Sequence, residues 1–169
     1  MVEIVAKSTH SEKRTRDFFK FHLFRVSPTR YIYFAVALVL FIMSVVFYFM
    51  VKYGSSLFFL FASLMVLVIR VVATNIIVSK VLKKVVYPAI NYKLVFNENG
   101  IIHSYDLSKF TYKWNEFKII YEIDNYIFFY LDKNRALILP KYILNLEERE
   151  RLKDLIINSK IEYRLKKFK

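Results

Sequence analysis

Three histidines, His10, His22 and His103, are the side chains of this sequence whose ordinary titration falls near neutrality. They stand far apart, and none belongs to an HExxH pair or a carboxylate-linked spacing, so the pattern predicts no metal site. The chain has no cysteine, which removes thiolate nucleophiles, disulfides and cysteine-ligated metals together. It has two glycines, too few for a Gly-rich phosphate loop, and neither GxSxG nor GxxxxGK[ST] occurs. Glu98, Asp106, Glu116, Glu122, Asp124 and Asp132 mostly fall at expected turns, where acids cap backbone N–H groups, and no pair holds a catalytic spacing. The expectation is a protein that is not an enzyme and uses no cofactor.

The remaining chemistry is that of cations. Lysine and arginine number 27 against 14 acids, a net charge of +13, which calls for an anionic partner. No nucleic-acid recognition motif is present, so the partner expected is the anionic inner leaflet of a membrane, with no nucleic acid. Arg70 is the one charge within an apolar segment. It either snorkels to lipid phosphates or bonds Ser44, Thr74, Asn75 or a second copy of the chain. Lys80, Lys83 and Lys84 follow the same segment. Arg164, Lys166 and Lys167 belong to a basic tail over residues 160–169, and Lys141 follows Pro140. These residues are the candidate lipid or partner contacts. Each Lys or Arg near an anionic leaflet contributes about 1 kcal/mol.

The elements that hold these cations are dominated by apolar side chains. Hydrophobic residues make up 56% of the 169 and aromatics 18%, with a mean hydropathy of +0.31, above the usual range for a soluble domain. From Tyr31 to Val51 there are 21 residues without a charge, about 31 Å of helix and close to the hydrocarbon thickness. A bridge from Lys52 to Ser56 leads to a second apolar segment, Leu57 to Ser79. The pattern predicts a two-helix transmembrane hairpin, helices 31–51 and 57–79. The first run begins too late and is too long for a signal peptide. Lys7, Lys13, Arg14, Arg16, Lys20, Arg25 and Arg30 before the hairpin, and Lys80, Lys83 and Lys84 after it, outnumber Lys52 in the bridge. The positive-inside rule therefore predicts a multi-pass protein of the cell (inner) membrane with both termini cytoplasmic.

Residues 1–30 form the first cytoplasmic segment. Val2–Lys7 alternates as a short strand, predicted to add to a sheet edge. Residues 11–26 read as an amphipathic helix with Phe18, Phe19, His22 and Leu23 on one stripe, and Ser27-Pro28 breaks it. Residues 80–169 form the second cytoplasmic part. Short aromatic and β-branched runs from Ile90 to Leu139, with a hairpin signal at Asn99-Gly100, predict an antiparallel meander. Pro140 ends its last strand. Asn145 with Glu148 reads as a capping box. Leu146, Arg149, Leu152, Leu155 and Ile156 then share a helical face. The fold class expected is α+β, with a membrane hairpin and a bent sheet of about five strands capped by a C-terminal helix. Phe96, Trp114, Phe128, Leu137, Leu139, Leu152 and Leu155 are the predicted core. Nine aromatics between Tyr112 and Tyr142 exceed what so small a domain buries, so some are expected to face outward.

Phe96 with Gly100, the step from Trp114 to Phe117, the aromatic run Tyr126–Leu131 and Ala136-Leu137-Ile138-Leu139-Pro140-Lys141 resemble the YcxB-like family of bacterial membrane proteins. That resemblance implies a C-terminal domain of the small pleckstrin-homology-like (PH-like) type, a half-barrel, at the membrane. The function expected is non-enzymatic: presenting this domain at the cytoplasmic face to anionic lipid, to another membrane protein or to a copy of itself. Two alternatives accompany it. Loose similarity to small membrane proteins that accompany bacteriocins implies an immunity factor, and Arg70 facing other helices would suit an accessory subunit of a transporter.

Overall fold

The computed structural model describes residues 3–84, 91–105 and 107–166. It divides into two compact units, Thr15–Val86 and a second made of Met1–Arg14 with Tyr87–Lys169.

The helical unit follows from its apolar runs. Helix α1, Glu12–Phe21, passes into a π-helical turn, His22–Val26. Phe18 and Phe21, three residues apart on one face of α1, are the buried residues, while Phe19, His22 and Leu23 of the predicted stripe are half-buried. Ser27 N–H closes the turn on the His22 carbonyl at 2.7 Å, and Pro28 precedes helix α2, Thr29–Phe49. Helix α3 runs from Tyr53 to Lys84. Helix α2 keeps the predicted length of 21 residues but starts and ends two residues earlier, α3 extends past its predicted span at both ends, and the bridge shortens to residues 50–52. Helix α2 closes on Val51 at φ 60°, with Val51 N–H on Tyr48 O and Lys52 N–H on Phe47 O, both 3.0 Å. These are the two bonds of a Schellman closure, with valine where glycine is favoured. Gly54 lies beyond this closure, in α3.

Small residues seven apart form the α2–α3 seam. Ser44 Oγ donates to Ser56 O at 2.8 Å and Ser63 Oγ to Ala37 O at 2.9 Å, with all four residues buried. Small side chains let the backbones approach, and their hydroxyls find partners there. The apolar remainder points outward: Leu38 is 58% exposed and Phe61 66%. Both helices are long and apolar enough to cross a membrane.

The second unit holds two four-stranded sheets. The first has the order β1-β2-β3-β4: Ile4–Thr9, Asn91–Asn97, Gly100–Tyr105 and Ser108–Lys113. Strand β1 is the predicted edge strand, antiparallel to β2 with Ile4 opposite Phe96 and Thr9 opposite Asn91. The β2–β3 hairpin turns through Glu98 and Asn99, where Asn97 Oδ1 accepts the N–H groups of Asn99 and Gly100 at 3.0 and 3.1 Å. Gly100 is the first residue of β3, at φ 151°, and a Cβ there would sit 2.0 Å from the Tyr112 carbonyl oxygen. Its glycine thus serves close approach of β3 to β4.

The second sheet has the order β7-β6-β5-β8: Ala136–Pro140, Tyr126–Tyr130, Ile119–Glu122 and Tyr163–Leu165. A 3-10 turn, Trp114–Glu116, separates the sheets, which is why one bent meander was the wrong expectation. Helix α4, Leu146–Asn158, begins at the predicted Asn145 capping box, with Glu148 N–H on Asn145 Oδ1 at 2.8 Å and Asn145 N–H on Glu148 Oε2 at 2.9 Å. It is not the expected cap. It is the crossover that carries the chain from β7 to β8, which pairs in parallel with β5. Part of the predicted basic tail is therefore a strand.

One core lies between the sheets. Phe96, Trp114, Leu139 and Leu152 of the predicted set are buried in it, with Phe129, Ile120 and Ile156, while Leu137 and Leu155 pack half-buried against it. Phe128 is fully buried, but on the opposite face of β6, beside Tyr126. All five residues of β6 are buried. Of the nine aromatics, Trp114, Phe117, Tyr121, Tyr126, Phe128, Phe129 and Tyr130 are buried and Tyr112 is half-buried, so the outward position expected for some of them is taken by Tyr142, which is 68% exposed. Trp114 Nε1–H donates to Asn97 O at 2.9 Å, tying the 3-10 turn to the β2–β3 hairpin.

Candidate functional site

Helix α3 aligns the first set of candidate cations. Val72, Asn75, Ile76, Ser79, Lys80 and Lys83 line one shallow concavity of about 430 Å³. Spacings of three and four residues put them on one helical face. Along the axis the order is Val72, then Asn75 and Ile76, then Ser79 and Lys80, then Lys83, with both ammonium groups exposed. The sequence covers about 16 Å of helix axis. Lys84 closes α3.

Arg70 is satisfied within the helical unit. Its Nη2–H donates to the Phe24 carbonyl at 3.1 Å, and its guanidinium lies 5.3 Å from the Phe24 ring centroid and 5.0 Å from that of Phe34. The π-helical turn supplies that carbonyl. Of the partners expected for Arg70, Ser44 bonds Ser56 instead, and Thr74 Oγ donates to the Arg70 carbonyl, not to its side chain.

Lys141 is likewise taken up, which corrects its reading as a surface contact. Its ammonium donates to Glu122 Oε1 at 2.5 Å and to Ile123 O at 3.2 Å. Tyr163 O–H donates to the other Glu122 oxygen. Glu122 is 6% exposed, so this is a buried, three-membered polar cluster joining β5, β8 and the turn after β7. A carboxylate with both oxygens bonded tolerates such burial; an unpaired one would not. Arg149 secures the same turn, its guanidinium donating to Lys141 O and Leu144 O. Arg164 is exposed and pairs with Glu162. Lys166 is exposed, and its backbone N–H donates to the Glu122 backbone carbonyl at 2.8 Å. Lys167 lies outside the described residues.

Two of the distant histidines meet on the first sheet. The His10 ring lies 4.9 Å from that of Tyr92 and the His103 ring 5.6 Å, with Tyr105 5.4 Å beyond His103. Tyr92 O–H donates to Ile138 O at 3.0 Å and accepts from Arg14 Nη1 at 3.2 Å. Burial lowers the His103 pKa from its ordinary value, and the charge of His10 lowers it further. Burial raises that of Tyr92. A neutral His103 and a protonated Tyr92 suit a packing role. The signal for this meeting was the edge strand: placing β1 on β2 carries His10 to Tyr92.

Comparison with known families places these elements. The model of a family described as YcxB-like protein matches residues 96–156, from Phe96 in β2 to Ile156 in α4. The chain therefore carries a YcxB-like region within an α+β fold that also has two long apolar helices. Neither curated proteins nor solved structures give a match. Strands β1 and β8 and both long helices fall outside the matched residues.

Proposed function

We propose that this chain is a non-enzymatic, two-pass protein of the inner membrane that presents a PH-like domain at the cytoplasmic face to anionic lipid or to a protein partner. The observation that carries the reading is the face of α3. From Val72, through Asn75 and Ile76, to Ser79 and Lys80 and then Lys83, this face passes from apolar through mixed to cationic, the direction from acyl chain to phosphate in a leaflet. The outward apolar side chains of α2 and α3 need such a solvent, because a buried core helix hides its stripe. The two sheets around one core support a PH-like description of the YcxB-like region, from which the crossover helix α4 departs. Arg70, already bonded to Phe24 O, lends no support to a transporter subunit. The test is alkaline carbonate washing of membranes from cells expressing the full chain. Retention in the pellet is expected; release into the supernatant overturns the reading.

A further inference from the structure

Strand register lines up three lysines across the outer face of the first sheet. Lys7 pairs opposite Lys93, Lys93 opposite Ser104, and Ser104 opposite Lys109. Four strands at about 4.8 Å spacing make this a row about 15 Å long. All three lysines are exposed, and among the described residues none has an ion-pair partner. Like charges directly opposite each other in a sheet destabilise it, so the row is costly to the free fold and is relieved by an anionic surface. A concavity of about 440 Å³ adjoins it, lined among the described residues by Lys7, Lys93, hydroxyls and the Asn91 amide, with no carboxylate among them.

The same end of the sheet carries an apolar tip. Leu107, in the β3–β4 connection, is fully exposed, and Phe110 is 43% exposed and stacked on Tyr105 at 5.7 Å. Asp106 lies outside the described residues. Thr9 and Asn91, opposite each other at this end, are where the chain leaves sheet β1-β2-β3-β4 toward α1 and re-enters it after α3.

We infer that this end of the first sheet docks on the anionic bilayer, with Leu107 entering the headgroup layer and Lys7, Lys93 and Lys109 binding lipid phosphates. Charge complementarity selects the occupant, and the apolar tip beside the lysine row selects a lipid surface over a soluble anion. The inference rests on the membrane reading above and names its contact.

The chain has no cysteine, so a single environment-sensitive fluorophore reports one site. Full-length Leu107→Cys and Asn99→Cys, the latter at the opposite end of the sheet, are labelled in nanodiscs of zwitterionic lipid, with and without phosphatidylglycerol. Acrylamide quenching is expected to be several-fold weaker at 107 in anionic discs and unchanged at 99. Replacing Lys7, Lys93 and Lys109 by serine restores quenching at 107, whereas Lys113→Ser, at the far end of β4, does not. Equal quenching at both sites, or protection that survives the triple substitution, overturns the docking surface. Carbonate extraction of the same chains separates the two failures: a retained chain with an unprotected tip loses only the docking surface, while an extracted chain loses both.

Discussion

The two sheets share one core and treat their other faces in opposite ways. Strand β6 is buried at every position, and the charged groups near it, Glu122 and Lys141, neutralise each other. The first sheet instead turns Lys7, Lys93 and Lys109 to solvent without a counter-charge among the described residues. The contrast separates two uses of a cation in one domain. One is consumed by the fold and the other faces solvent. It also explains why a lysine picked out by its position after Pro140 is structural, while lysines inside a plain strand pattern are available.

The sharpest way to break this contrast is to orphan the buried pair. Lys141→Ala leaves Glu122 without its cation in a buried site, and a loss of about 3 kcal/mol is expected, read by thermal unfolding in detergent. A loss no larger than that of a surface lysine would put Lys141 in the same class as Lys93. Next comes Gly100→Ala, which drives a methyl group into the Tyr112 carbonyl and should cost about 2 kcal/mol. Hydrogen exchange should show β3 and β4 opening while β5 and β6 stay protected.

Acid should act on the first sheet by a smaller amount. His103 is held below its ordinary value of 6.5, first by burial and then by His10. Among the described residues, Arg14, Tyr92 and Tyr105 are polar groups around this pair. Below pH 6.5 the unfolded chain takes up a proton that the folded chain resists. The stabilising contribution is therefore complete at higher pH and is lost as pH falls through 6.5 toward the folded value. A fall of a few degrees in Tm between pH 7.5 and about 5.5 is expected, with His103→Phe flattening it. The smallest effect has the opposite sign. Lys93→Thr should raise stability by about 0.5 kcal/mol by removing repulsion from Lys7, while weakening attachment to anionic discs. A loss of stability would mean that Lys93 has a structural partner.

Much of this was legible along the chain. Local signals carried the Asn145–Glu148 box, the hairpin around Asn99-Gly100, the two apolar helices and the edge strand near Lys7. The misses are tertiary. Strand β8 is three residues, Tyr163-Arg164-Leu165, too short and too charged to stand out, yet it turns the presumed capping helix into a crossover. The Trp114–Glu116 break has the look of a hairpin turn, and only folding shows that it redirects the chain into a second sheet. Glu122 meets Lys141 and Tyr163 across intervals that no periodicity encodes. The lysine row needs the register of β1 against β2, residues more than eighty apart. Val51 ends α2 in a conformation that composition assigns to glycine, so the bridge was placed too late.

The central claim is that α2 and α3 cross the membrane and leave the sheet domain on the cytoplasmic side. Because the chain lacks cysteine, the direct measurement is labelling of Lys52→Cys and Asn99→Cys by a membrane-impermeant maleimide on intact cells. The account predicts labelling at 52, between the helices, and labelling at 99 only after lysis. Labelling at 99 in intact cells, or protection at 52, would contradict it.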